Sequence, residues 1–156
     1  MLIQSQLREL IIKPVLATLH MYSEDAVELL VFTCATESNG GTYLKQLNGP
    51  ALGIYQMEPK THYDLWRTYI SPNTNLAMLM GSNFNAFRLP ETERLIYDLY
   101  YATAICRLFY LRHIEPIPNC KDVEAIWAYY KKYYNTDLGA AIKDESIKKY
   151  RLFVAH

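Results

Sequence analysis

Apolar residues recur every three or four positions through most of this chain, and the places where that rhythm fails divide it into helices. Leu2 to Met21 reads as a first helix, interrupted near Pro14, because proline lacks an N–H and its ring meets the preceding turn. Ser23, followed by Glu24 and Asp25, supplies a capping hydroxyl and two acids at the positive end of a helix dipole. From there Val27, Leu30, Val31 and Cys34 fall on one stripe. That spacing predicts an amphipathic helix with its stripe on the core, running into Ser38-Asn39-Gly40-Gly41, where it ends. The rhythm is lost after that. Asn48-Gly49-Pro50 and Gly53 predict a tight turn or short hairpin, so a small irregular or β element is expected near residues 42–56. Further helices are predicted for Lys60 to Tyr69, from near Asn75, over Glu91 to Arg112, over Val123 to Tyr133, and from about Gly139 to Phe153. Breaks fall at Ser71-Pro72-Asn73, at Leu89-Pro90, and at Pro116 and Pro118. The expected fold is all-α, one domain over residues 1–156, without internal repeat or linker.

Composition narrows the function classes. Of 156 residues, 51% are apolar and 21% charged, which suits a packed globular chain and argues against disorder. Sixteen basic residues balance sixteen acidic ones, so there is no concentrated positive field and nucleic acid is not an expected partner. The 14 tyrosines stand out, since a flat apolar ring with a polar tip suits both helix packing and the wall of a sugar-binding groove. Cys34, Cys106 and Cys120 form no CxxC or Cys/His cluster, and free thiols from a reducing compartment are the expectation. Histidines at 20, 62, 113 and 156 show no metal-ligand spacing, and neither a metal nor a cofactor is expected. No stretch reaches the roughly 18 apolar residues of a membrane span, and the first twenty residues lack the order of a signal peptide. Synthesis in the cytoplasm, no membrane insertion and a monomeric state are therefore expected.

One carboxylate breaks the pattern. The position after Cys34 on the second helix's stripe is Glu37. A carboxyl there ends an apolar row and sits at the negative end of the dipole, and both effects disfavour its ionised form. A carboxyl kept protonated near neutral pH is what a general acid needs. The alternative is a glutamate that merely caps or snorkels at a helix end.

The residues after Glu37 favour chemistry. Glu37-Ser38, then Gly53-Ile54-Tyr55-Gln56-Met57-Glu58-Pro59-Lys60-Thr61 behind a Gly49-Pro50-Ala51-Leu52-Gly53 loop, resembles the lytic transglycosylases and goose-type lysozymes. Those families carry Glu-Ser at a helix end, a Gly-Leu-Met-Gln-like turn, and a later Ala-Tyr-Asn-like segment, matched by Ala128-Tyr129-Tyr130 or Tyr134-Asn135. The resemblance spans residues 23–136 and is carried by 35–62. It implies a lysozyme-like domain that cleaves peptidoglycan glycan strands, and the compact chain looks like a bacteriophage lysis or virion enzyme acting at the cell wall. Glu37 would then be the general acid. Ser38 would position its carboxyl or touch the sugar, Gln56 would hydrogen-bond substrate, and Gly53 would let backbone approach it closely. Tyr55, Tyr129 and Tyr130 would be cleft walls or would fix Glu37 through a phenol. Each tyrosine also fits an ordinary core or surface place.

Two reactions are compatible with the resemblance. An inverting hydrolase needs a second carboxylate about 6.5–9.5 Å from the first, to activate water. A lytic transglycosylase works with one, which first donates a proton and then takes one from the sugar's own 6-hydroxyl. Glu58 is the candidate second carboxylate, and His62 matches a histidine of the goose-type lysozymes, whereas Pro59 and Thr61 match the transglycosylases. Glu58 also fits a solvated charge at a helix start. The transglycosylase outcome is expected, with the hydrolase as alternative and a non-catalytic wall-binding or virion structural module as a second. The basic residues Lys131, Lys132, Lys143, Lys148, Lys149 and Arg151 suit either an anionic wall polymer or a solvated helix face.

Overall fold

The computed structural model describes residues 1–156 and is mostly helical. The first helical stretch comprises α1 (Gln4–Gln6), a wider π-helical turn (Leu7–Ile12) and α2 (Lys13–Thr18). Pro14 does not interrupt it. The π turn directly before α2 gives the proline room, and the Leu10 carbonyl, deprived of its α-helical partner, accepts a hydrogen bond from the Tyr100 hydroxyl at 3.1 Å.

Helix α3 (Glu24–Ser38) begins where the sequence places it, with Ser23 Oγ accepting from the Ala26 N–H at 3.0 Å. It ends in a left-handed Asn39 whose neighbours Gly40 and Gly41 also hold positive φ. The expected one-sided stripe is corrected. No residue of α3 from Ala26 onward is exposed, because the helix runs through the middle of the molecule against the first helical stretch, α7, α8 and α9. Polar groups on its far side are matched by partners. Arg8 grips Glu28 through two bonds of 2.7 and 2.8 Å, and Thr33 pairs with the Tyr110 hydroxyl at 2.7 Å.

Residues 42–58 form a loop with two isolated antiparallel bridges, Lys45 to Leu52 and Leu52 to Met57, so the small β element is present in minimal form. Next come α4 (Pro59–Leu65), a second π turn (Trp66–Ile70) and α5 (Thr74–Phe84), which Asn73 caps. The helix expected over residues 91–112 is two helices, α6 (Arg94–Tyr97) and α7 (Leu99–Leu111). The apolar rhythm continues across the break. Asp98 nevertheless leaves the helical backbone, and its carboxylate accepts from the Tyr101 N–H at 2.9 Å. The chain closes with α8 (Val123–Tyr130), a third π turn (Lys131–Asn135) and α9 (Lys143–Val154). α9 starts four residues later than expected, and the loop before it becomes part of the site.

One cluster of buried apolar side chains from Leu7 to Phe153 holds these elements together. Much of the tyrosine content is core: Tyr129, Tyr110, Tyr134 and Tyr130 are arranged in a row of tilted and stacked contacts, with centroids 5.8, 5.3 and 6.1 Å apart. The three cysteines are free, and burial pushes the Cys34 thiol up to about 12, which makes it inert. No helix is long and apolar enough to cross a membrane.

Candidate active site

The last turn of α3 delivers Glu37 to the floor of an open cleft of about 870 Å³. Loop 51–58 and α4 form one side of that cleft. The third π turn, the loop 136–142 and α9 form the other.

Two opposed effects set the state of Glu37. Burial raises its pKa, while a hydrogen bond donated by the Tyr130 hydroxyl to Oε1 (2.6 Å) and the nearby Lys149 ammonium lower it. Burial prevails, and the pKa is pushed up from 4.5 to about 7. At neutral pH the carboxyl is therefore divided between its neutral and charged forms. It can give a proton and take one back, and the Tyr130 phenol steadies the charged form between those events.

Tyr130 is held from several sides. It sits at the end of α8, edge-on to Phe32 at 5.5 Å and stacked on Tyr134. The third π turn matters here. Its i→i+5 bond, from Thr136 N–H to the Lys131 carbonyl at 2.7 Å, closes a wider turn than an α-helix, and Tyr134 and Asn135 line the cleft beside Tyr130. Tyr134 also donates to the Tyr55 carbonyl at 2.5 Å, which ties the loop carrying Gln56 to the helix carrying Tyr130.

Gln56 lines the cleft, as the sequence suggests. It closes the tight Leu52–Met57 turn with a left-handed backbone (φ 48°), and its Nε2 donates to the Gly53 carbonyl at 3.0 Å. Its amide oxygen makes no bond within the protein and is available to a ligand. Glu58 is exposed in the same cleft, immediately before Pro59 at the start of α4. Thr61 lines it too.

Four expectations are corrected. Ser38 lies outside the cleft and is fully buried. Its hydroxyl donates to the Cys34 carbonyl (3.1 Å) and accepts from the Gly41 N–H (2.8 Å), so it closes the end of α3 and makes no bond to the Glu37 carboxyl. The Tyr55 ring points into the core, where its hydroxyl pairs with Thr103 at 2.9 Å. Tyr129 faces away from the cleft and donates to the Glu115 carbonyl at 2.9 Å. Gly53 is needed for a protein contact. At φ 80°, a Cβ there would lie 2.1 Å from the Leu95 carbonyl oxygen.

His62 is structural. It is fully buried, its Nε2 lies 2.6 Å from the Tyr101 hydroxyl, and burial holds its pKa down at about 4. No set of His, Cys, Asp and Glu side chains converges in a way that could hold a metal ion. The basic residues of the C-terminal third do not form one patch: Lys132 pairs with Glu115 at 3.2 Å, Lys143 pairs with Glu124, and Lys149 lines the cleft.

Thr36, Asp64, Arg112 and Glu145 also line the cleft and were not singled out from the sequence, and Lys149, one of the basic residues named there, lines it too. Asp64 was within reach, since it lies three positions after Thr61 on the same face of α4. Arg112 and Glu145 come from remote helices, and no local pattern marks them.

Fold and cleft together define a helical protein with a partly buried glutamate, held by a tyrosine, on an open cleft. No family model, curated protein or solved structure matches the chain.

Proposed function

We propose that this protein cleaves the glycan strands of bacterial peptidoglycan, at the β-1,4 bond between N-acetylmuramic acid and N-acetylglucosamine, as a lytic transglycosylase. One observation carries the reading. The carboxyl of Glu37, whose pKa burial pushes up to about 7, is hydrogen-bonded by Tyr130 and set in an open cleft lined by polar and aromatic residues. The motif around Glu37 and Gln56 supplies the substrate class, because it resembles enzymes acting on this polymer.

In the forward step the Glu37 carboxyl gives its proton to the glycosidic oxygen, and the bond from that oxygen to the muramic acid C1 breaks. The Tyr130 hydroxyl stays on the resulting carboxylate. The muramic acid's own 6-hydroxyl then adds to C1 and passes its proton to Glu37, which closes a 1,6-anhydro ring and restores the acid. One group with a pKa near 7 suits both directions. Gln56 would hold the sugar through its free amide oxygen.

Glu58 favours a second reading. Its exposed carboxyl in the same cleft could activate a water, which would make the enzyme a hydrolase, a muramidase. Purified Glu37→Gln protein should fail to clear a peptidoglycan suspension while keeping its fold. Clearance at near-native rate would overturn both readings. Glu58→Gln should leave clearance unchanged for the transglycosylase and abolish it for the hydrolase.

A further inference from the structure

The wall of the cleft can be traced from the reacting carboxyl by contact. Tyr130 stacks on Tyr134, Tyr134 meets the edge of Phe109 at 5.1 Å, and the Arg112 guanidinium lies over the Phe109 ring at 4.4 Å. Arg112 closes α7, lines the cleft, and has a side chain three-quarters buried. Its charge is poorly matched. It makes no hydrogen bond, its Nε is buried without a partner, and its one ion pair is a 3.7 Å contact with Asp64. Asp64 is itself half exposed and shared with Arg67 at 3.6 Å. A guanidinium three-quarters buried, held over a ring at 4.4 Å and paired only through one long contact with Asp64, keeps donors free for a better-placed acceptor. Its planar donor fork matches a carboxylate.

We propose that Arg112 is the carboxylate-binding subsite of the cleft, a specificity residue that grips an acidic group carried by the muramic acid side of the strand. The inference rests on the glycan-strand reading and names which feature of that polymer is recognised. Two carboxylates fit the chemistry: one on the peptide stem, or the lactyl carboxylate that is free only where the stem has been removed. Asp64 occupies the anchor loosely until substrate displaces it.

Binding separates the possibilities without relying on turnover. Glu37→Gln protein and the double variant Glu37→Gln/Arg112→Gln are titrated with three ligands. These are strands with intact stems, strands stripped of stems by an amidase, and an uncharged oligomer of N-acetylglucosamine. Loss of Arg112 should weaken binding of one carboxylate-bearing ligand by about tenfold and leave the uncharged oligomer unchanged. A loss confined to intact strands assigns the stem, and one confined to stripped strands assigns the lactyl group. Equal losses on all three ligands, or none on any, overturn the subsite alone. If Glu37→Gln protein binds none of the three, the glycan reading falls and the subsite falls with it. Arg112→Lys, which keeps the charge and loses the fork, should recover only part of the affinity. Should Arg112→Gln fail to fold, Asp64→Asn in the Glu37→Gln background decides the question. Removing the competing anion should tighten the carboxylate ligand, and an unchanged or weaker affinity overturns the proposal.

Discussion

Replacing Glu37 by glutamine should make the folded protein more stable in mildly alkaline solution. In the unfolded chain this carboxyl loses its proton around pH 4.5; in the folded protein it keeps it to about 7. Between those values the unfolded state binds fewer protons, so raising the pH favours unfolding. The deficit is absent below about 4.5 and grows at about 1.4 kcal/mol per pH unit. Above pH 7 it levels off at about 3 kcal/mol. Glutamine keeps the shape and the oxygen that accepts from Tyr130, but has no proton to lose. Denaturant unfolding of both proteins at pH 4, 6 and 8 should therefore give curves that coincide at pH 4 and separate by about 3 kcal/mol at pH 8. For a chain of this length that is roughly 6–12 °C in Tm. His62, held low at about 4, costs stability as pH falls below 6.5, but it is present in both proteins and cancels. A difference that stays flat with pH, or a variant less stable at pH 8, would refute the claim that burial keeps Glu37 protonated.

The site's geometry fixes two further outcomes. Tyr130→Phe removes the donor that favours the charged carboxylate while keeping the ring against Phe32 and Tyr134. A hydrogen bond to a charged group is worth about 1.5–3 kcal/mol, so the Glu37 midpoint should rise by about one to two pH units, read by carboxyl carbon NMR, and an unchanged or lower midpoint contradicts the assignment. Gly53→Ala sets a methyl against the Leu95 carbonyl in a left-handed turn, and should cost at least about 2 kcal/mol in denaturant unfolding; a neutral effect would mean the turn relaxes freely.

The helices were legible wherever local chemistry marks them. Ser23, Asn73 and the Asn39-Gly40-Gly41 stop act through groups only a few residues away, and the sequence displays them directly. Glu37 was legible for the same reason, since its place at the end of an apolar row is a local fact. Helix α3 was only half read. Whether a helix is buried on one side or all round depends on what packs against it, and the partners of Glu28 and Thr33 lie far along the chain. Asp98 was hidden by apolar residues that continue the rhythm on either side of it. The motif reading named Gln56 and Tyr130, which line the cleft, and assigned Ser38, Tyr55, Tyr129 and Gly53 to ligand, whereas the structure gives these four contacts within the fold. Residue type states what a group can bond to and says nothing about which way it faces. Arg112 and Lys149 reach the cleft only through the packing of α7 and α9, and the π turn that sets Tyr134 and Asn135 beside Tyr130 has no sequence signature.

The most direct measurement is the mass of the fragments that the unmodified protein releases from purified sacculi, with Glu37→Gln protein alongside. The account predicts muropeptides one water lighter than hydrolysis products, bearing 1,6-anhydro ends, and no fragments from the variant. Release of fragments by Glu37→Gln protein, or no release by the unmodified one, would contradict it.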